Sequence, residues 1–471
     1  MSDQLKPYDE YKEVDLLWIN SVPSHWEIVS NKALWAERNI RNCIDEELLS
    51  VTIKQGVIRQ KEFLRNSIKK DVSNQDKSNY KLVIHNDIAY NKMRMWQGAV
   101  GKSRYRGIVS PAYIVLQARR ELNPDYFNYL LRTPEYIEES HRYSYGICDD
   151  QLNLRYEDFK RMKNIFPPLD EQEQIIRYLD FKLAKINKFI KTKKKLIKVL
   201  NEQKQAMINE AVTKGTNPYV KMKPSGIDWL GDIPEHWIVT GLKRLFIYMT
   251  YGISENSTNA GIIPVLTMGD INDGEVIIPK SGGVMNVDDN LLLKRGDLLF
   301  NRTNSIDLVG KVGIYRDDSN KQVTFASYLV RLRAKKDYCS EYINYLLNSS
   351  SFITYARSHA YKSINQANLN PTRYGYLLLA YPDELSEQRQ ITNYINKKIE
   401  IINASINNLE REILLMNEYR TRLISDVVTG KVDVRGIEIG DIVEDEIDNF
   451  DEVDIDDMND EEIDNFEESE V

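Results

Sequence analysis

The sequence predicts an α+β protein: two mixed α/β domains separated by a pair of long antiparallel coiled-coil helices, built as a pseudo-twofold internal repeat. Three observations predict it. The stretch Leu169-Asp170-Glu171-Gln172-Glu173-Gln174-Ile175 returns as Leu385-Ser386-Glu387-Gln388-Arg389-Gln390-Ile391, 216 positions later. An opening motif, Trp18-Ile19-Asn20-Ser21-Val22-Pro23-Ser24-His25-Trp26, returns as Trp229-Leu230-Gly231-Asp232-Ile233-Pro234-Glu235-His236-Trp237, displaced by 211. Between opening motif and helix, each half holds a region of about 150 residues, an ordinary domain size, that keeps landmarks but not sequence. Duplication on this scale governs how the rest is read.

At 471 residues, the chain is too long for a single core. With 42% hydrophobic and 28% charged residues it reads as soluble. No run approaches the roughly 18–20 apolar residues of a membrane span, and the polar start Met1-Ser2-Asp3-Gln4 does not resemble a signal peptide. Cys43, Cys148 and Cys339 lack CxxC spacing and the five histidines are scattered, so neither a disulfide framework nor a zinc site is expected, and a cytoplasmic location is. The net charge of −8 conceals an asymmetry. Beyond Arg435 there are 18 acidic residues and no Lys or Arg, so the body carries 63 basic against 53 acidic side chains. A basic body with an acidic tail points towards nucleic acid.

In chain order, residues 1–16 read as a loose polar arm and 17–168 as the first domain. In 169–215, Ile176, Leu179, Leu183, Ile186, Ile190, Ile197, Leu200, Met207 and Ala211 follow 3-4 spacing, interrupted at Lys193 and Lys204. This is a heptad seam over about six heptads. Residues 216–228, rich in Lys, Pro and Gly, form a linker to the second domain, 229–384. The second helix, 385–431, repeats the seam at Ile395, Ile399, Ile402, Ile406, Leu409 and Ile413, with Arg420 at the place of Lys204. Residues 436–471 are too acidic and too poor in apolar residues to offset their chain entropy, and are expected to be disordered.

The domains share an Asp-led strand, Asp87-Ile88-Ala89-Tyr90-Asn91-Lys92 and Asp297-Leu298-Leu299-Phe300-Asn301-Arg302. A glycine turn follows, with Val100-Gly101-Lys102 set against Val309-Gly310-Lys311. Helical Tyr126-Phe127-Asn128-Tyr129-Leu130-Leu131 matches Tyr342-Ile343-Asn344-Tyr345-Leu346-Leu347, the first introduced by Asn123-Pro124-Asp125. Leu152-Asn153 and Leu369-Asn370 precede the strand that leads into each long helix. A compact second domain with its termini together would set the end of the first helix beside the start of the second. The helices would then run antiparallel, each about 63 Å long for 42 residues, and hold the domains apart.

Catalytic motifs are largely missing. Gly101-Lys102-Ser103 lacks the glycine that a phosphate-binding loop needs five residues earlier, where Trp96 stands. Phe166-Pro167-Pro168-Leu169 has neither the polar residue nor the aromatic that flank the prolines of a DNA amino-methyltransferase. Asp125, Asp158 and Lys160 could formally hold a cation as a nuclease does, but the repeat puts Glu341 and Gly375 at the carboxylate positions. Binding chemistry is richer. Lys92, Arg94, Gln97, Lys102, Arg104 and Arg106 cluster with Trp96 and Tyr105, and the second domain offers Asn301, Arg302, Asn304, Lys311 and Arg316. Arg suits guanine, Asn and Gln suit adenine, and Lys suits phosphates.

The doubled Pro-x-His-Trp motif, the doubled Glu-Gln helix start (Glu171-Gln172 and Glu387-Gln388) and the two divergent regions together resemble the DNA-specificity subunit of type I restriction-modification systems, over about residues 17–435. The resemblance implies two target-recognition domains, each reading one half of a split double-stranded DNA site, with the helices setting the spacer. It implies that the helices carry two methyltransferase subunits, which restriction/translocase subunits join. It implies a non-catalytic chain that binds no cofactor itself, with S-adenosylmethionine, ATP and Mg on the partners. Differing candidate readers predict an asymmetric bipartite target. The readings from other classes are a freestanding architectural or regulatory DNA binder and a self-sufficient nuclease or methyltransferase.

Overall fold

The computed structural model describes residues 5–65, 76–147, 152–255, 257–317, 321–363 and 366–440. The chain forms two compact units, Met1–Lys194 with Glu410–Val471, and Lys195–Leu409. Each unit thus takes a globular region, the first part of its own long helix and the last part of the other. Both long helices form where the heptad pattern places them, as Leu169–Lys214 (46 residues) and Leu385–Val428 (44 residues).

In the first unit, a four-stranded antiparallel sheet has the order Trp35–Glu37, Tyr113–Ala118, Ile88–Asn91, Val100–Lys102. The central strand is buried on both faces. Ile88 and Tyr90 face the main core with Trp35, Phe127 and Phe159, while Ala89 faces a second layer of Leu49, Val51 and Val115. Period-two alternation between two apolar layers makes this run a strand despite its continuous hydrophobicity. The second unit repeats the four strands as Phe246–Tyr251, Leu329–Ala334, Leu298–Asn301 and Val312–Ile314, and extends the sheet with Glu275–Val276 and Ile271–Asn272. Leu298 and Phe300 again face the main core and Leu299 a second layer.

The shared aspartates are structural. Asp87 Oδ2 accepts from Ile84 N at 3.0 Å and takes an ion pair from Arg38 at 2.7 Å. Asp297 Oδ2 accepts from Lys294 N at 2.8 Å and pairs with Arg333 at 2.6 Å. Asn123 caps its helix as anticipated, its side chain accepting from Asp125 N and Tyr126 N.

The two recurring motifs turn out to be one device. Pro23 to Trp26 close a turn by Trp26 N→Pro23 O, and Trp237 N→Pro234 O repeats it, both at 3.0 Å. The turn aims His and Trp at the first turn of the long helix. Glu171 Oε1 accepts from Trp26 Nε1 at 3.0 Å and Oε2 lies 2.7 Å from His25 Nε2. Glu387 accepts from Trp237 Nε1 at 3.1 Å and lies 2.8 Å from His236 Nε2. The adjacent glutamine ties the helix to the preceding loop. Gln172 donates to Pro167 O (2.8 Å) and accepts from Asn123 N (2.9 Å), and Gln388 donates to Pro382 O (2.9 Å) and accepts from Cys339 N (2.8 Å). Each globular region is therefore latched to its helix by one polar network, buried at Glu171 and partly exposed at Glu387.

Each unit also closes on the end of the other helix. Tyr126 OH donates to Val428 O at 2.8 Å in the first unit, and Tyr342 OH to Val212 O at 3.2 Å in the second. Within the first unit the two helical segments are antiparallel. Asn187 meets Arg420 while Lys193, six residues further on, meets Glu412 at 2.7 Å. Lys193 thus leaves the apolar seam for an ion pair. Lys204, in the second unit, turns to Asp273 at 3.2 Å. Seam residues Ile176, Leu179, Leu183, Ile186, Ile190, Ile395, Ile406 and Leu409 are buried, and Leu200, Ile399, Ile402 and Ile413 half-buried.

The amino-terminal arm is not loose. Strand Tyr11–Leu16 pairs with Ile19–Pro23, Lys6 bridges Asp433, and Tyr8 OH donates to Glu171. Its polar composition misleads because hairpin pairing, the buried Tyr8 and the hydroxyl of Tyr11 hold it, with Leu5, Val14 and Leu16 packed against the core. The acidic stretch from Asp441 lies outside the described residues.

Candidate nucleic-acid interface

The central strand of each sheet ends in asparagine, and the backbone around it is the same in both units. Asn91 N donates to Ala99 O and Asn301 N to Lys311 O, while Leu154 N donates to Lys92 O and Leu369 N to Arg302 O. These bonds equate Gly98 (φ 92°) with Gly310 (φ 88°), and Val100-Gly101 with Val312-Gly313. Matching Val100-Gly101-Lys102 to Val309-Gly310-Lys311 is therefore wrong in register. The second loop is two residues longer, so Lys102 corresponds to Ile314. Leu154, not Leu152, likewise corresponds to Leu369.

The predicted readers do not form one patch. Lys92, Arg94 and Gln97 follow the carboxyl end of the strand, whereas Lys102, Arg104 and Arg106 lie at its amino end, since Lys102 pairs across to Ile88. Four strand residues, about 10 Å, separate them. In the second unit Arg302, Asn304 and Lys311 share the carboxyl end, and Arg316 lies at the other, beyond Ile314 opposite Leu298.

The amino-end cations serve the fold. Lys102 pairs with Asp125 at 2.5 Å, and Arg316 pairs with Glu275 at 2.8 Å and with Glu341. Asp125 and Glu341 occupy the first turns of equivalent helices. Burial works against the Arg316 charge, but its hydrogen bonds to Glu275 and Glu341 outweigh this and hold its pKa above the usual guanidinium range. Arg106 pairs with Glu46 at 2.7 Å, and Arg104 is exposed. Asn301 is placed where it cannot read a duplex, being 2% exposed. Asn91, equally buried, accepts from Met93 N at 3.0 Å as a turn residue.

At the carboxyl end the groups are half-buried. Arg94 Nη1 donates to Gln97 Oε1 at 3.0 Å, and Trp96 packs on His141 with ring centroids 5.8 Å apart. Arg302 lies 5.1 Å from the Tyr251 ring centroid. Asn304 Oδ1 accepts from Ser305 N at 2.8 Å.

Sequence reasoning missed the second half of this surface. After the paired helices, each unit brings two short antiparallel segments together beside the asparagine turn, a hairpin in its described residues. Tyr145 and Asn153 exchange backbone hydrogen bonds at 3.2 and 3.1 Å. Tyr361–Ser363 pairs with Gln366–Asn368, which pairs in turn with Thr303–Asn304. Tyr145 is 79% exposed, Ile147 97% and Tyr361 60%, with Arg373 lying 4.6 Å from the Tyr361 ring. The overlooked signal is displacement: Tyr145 and Tyr361 stand 216 apart, as the helices do.

The nuclease-like residues are dispersed into ordinary pairs, Asp125 with Lys102, Asp158 with Arg161 and Lys160 with Glu157. Among the described residues no group of three or more His, Cys, Asp or Glu is placed to hold a metal ion, and no helix is long and apolar enough to cross a membrane.

No family model matches the chain. It is similar to a protein of Methanocaldococcus jannaschii described as the specificity subunit of the MjaX type I restriction enzyme, 27% identical over 230 residues, covering 45% of this chain and 53% of that protein. It is also similar to the type I restriction enzyme StySPI specificity subunit of Salmonella potsdam, 22% identical over 304 residues, covering 63% and 62%. The matched segments thus span 53% and 62% of the length of these relatives, less than two thirds of each. A chain from a solved structure concerned with complex assembly and conformational transition of the type I R-M system shares the fold, with a TM-score of 0.64 and 13% identity over 87% of this chain and 99% of that one.

Proposed function

We propose that this chain is the sequence-specific DNA-recognition subunit of a type I restriction-modification complex, reading an asymmetric bipartite duplex and setting the target for adenine methylation and restriction. One observation carries the reading. The same latch, Trp-His to Glu-Gln, is built twice, and it presents two surfaces that differ: Lys92, Arg94 and Gln97 in one unit, Arg302, Asn304 and Lys311 in the other. A scaffold duplicated with unlike readers suits two unlike half-sites. The named relatives and the shared fold support it.

In this reading the long helices form an antiparallel rod that fixes the spacer, as the Asn187–Arg420 and Lys193–Glu412 contacts favour. Exposed Leu414, Leu415 and Tyr419 leave apolar surface on the second helix for a partner chain. Two methyltransferase subunits dock there and bring S-adenosylmethionine, and restriction/translocase subunits bring ATP and Mg chemistry, all in the cytoplasm. The test is single-molecule mapping of methylated adenines in the host, with and without this chain. The expected motif is two different half-sites around a fixed spacer, and removing one heptad from a long helix should alter that spacer or abolish assembly while sparing the half-sites. A palindromic motif, or DNA cleavage by the purified chain alone, would overturn the proposal.

A further inference from the structure

The hairpins after the paired helices are the least explained feature of the surface. Their described residues are tied to the sheet: Leu154 N and Leu369 N donate to Lys92 O and Arg302 O, and Asn368 Nδ2 donates to Thr303 Oγ1 at 2.8 Å. Their tyrosines are not packed away. A ring left in water forgoes the gain of burial, so packing does not account for tyrosine at Tyr145 and at Tyr361. The flanks differ, Gly146-Ile147 in one unit and Lys362-Ser363 in the other. One exposed aromatic is therefore common to both units while its neighbours are not.

Resting on the specificity-subunit reading, we infer that each hairpin is a base-reading element, with Tyr145 and Tyr361 as the shared anchors on the duplex and their unlike neighbours as the readers. A two-stranded β-ribbon fits the major groove. Tyrosine supplies a flat apolar face and a hydroxyl that donates to phosphate without preferring any base, which is what a part common to two different half-sites needs. Around Tyr361 stand Lys362, Gln366 and Arg373, with Asn304 on the adjoining strand. Gln and Asn match adenine, and Arg and Lys match guanine. Around Tyr145, the 97% exposed Ile147 offers an apolar contact of the kind a thymine methyl takes.

The test uses the full chain assembled with its methyltransferase subunits, binding duplexes in which either half-site is scrambled. Tyr145→Ala is expected to weaken binding to the intact site about tenfold, the scale of one lost aromatic contact, and to erase the penalty for scrambling one half-site only. Tyr361→Ala should erase the penalty for the other. Tyr→Phe at either place should keep the half-site preference and lose part of the affinity. Lys362→Ala with Gln366→Ala should relax the bases preferred in the Tyr361 half-site alone. Thermal melting of these exposed variants should match wild type. Wild-type affinity and wild-type sensitivity to both half-sites in Y145A and Y361A would overturn the inference, as would equal loss of sensitivity to both. A wild-type complex that binds scrambled and intact duplexes alike would instead overturn the specificity-subunit reading, and the hairpin assignment with it.

Discussion

Replacing the two latch glutamates should damage the two units unequally. Glu171, with a side chain 3% exposed, accepts from Trp26 Nε1 and from Tyr8 OH, and meets His25. Burial, then the hydrogen bond to Glu171, pushes the Tyr8 pKa far above the usual phenol range, so its hydroxyl stays a donor at any working pH. Glu171→Ala leaves two buried donors without partners, each costing about 1–3 kcal/mol, for a loss of roughly 2–6. Glu387 is 27% exposed, and of the two donors that meet it among the described residues only Trp237 is buried, because His236, half-exposed, can turn to water. Glu387→Ala should cost about 1–3 kcal/mol. Hydrogen exchange of amides in Ile88–Asn91 and Leu298–Asn301 under increasing urea reports each unit separately. Glu171→Ala combined with Trp26→Phe should cost less than the sum of the two, since both remove one bond. If Glu387→Ala destabilises its unit as much as Glu171→Ala does, the account of the latch is wrong.

Two further outcomes are expected, the first from a difference between the units. Asp180 accepts from Tyr129 OH at 3.1 Å, and burial raises its pKa above the usual carboxyl range, whereas Tyr345 donates to Asn396 at the equivalent place (2.6 Å). A carboxyl whose pKa is raised by folding holds more protons folded than unfolded, so its contribution falls as pH rises from the ordinary 3.8 through the raised value. Asp180→Asn should therefore raise the melting temperature at pH 7 and flatten this acid-side slope; an unchanged slope would refute the assignment. At the end of the second helix, Gly430 has φ 76°, and a methyl group there would lie 2.7 Å from Pro23 and 2.8 Å from Trp26. Gly430→Ala should lower urea stability by about 2–4 kcal/mol, while Gly436→Ala, with open space around it, should be silent; equal effects would refute the packing argument.

How far the fold could be read from sequence depended on the kind of interaction. The long helices begin at Leu169 and Leu385 as their periodicity indicates, because an apolar seam writes itself into spacing. The Asp-led strands were legible for the same reason. What could not be read was partnership. Pro-x-His-Trp and Glu-Gln were each visible as repeats, but the bond from Trp26 Nε1 to Glu171 joins residues 145 positions apart. The amino-terminal arm looked loose because its order comes from Tyr8 and Tyr11 reaching Glu171 and Gly430 O. Among the candidate readers, clustering along the chain misled because a strand carries consecutive residues to opposite ends of a sheet. Lys102 and Arg316 became helix partners, and Asn301 became buried.

The repeat itself separates scaffold from reader. Positions alike in both units are almost all buried and bonded within the fold: Trp26 and Trp237, Asp87 and Asp297, Tyr126 and Tyr342, Gln172 and Gln388. Likeness there needs no ligand, since a buried polar group must keep its partner in each copy. Where the units differ on the surface, as at Gln97 or Lys362, the proposed function would have the divergence serve two unlike half-sites. Tyr145 and Tyr361 break this division, being alike and yet 79% and 60% exposed. Burial cannot have kept them alike, and unlike half-sites cannot either. On the proposed function, a contact that both units make with something common to every duplex, its backbone and grooves, would supply the reason.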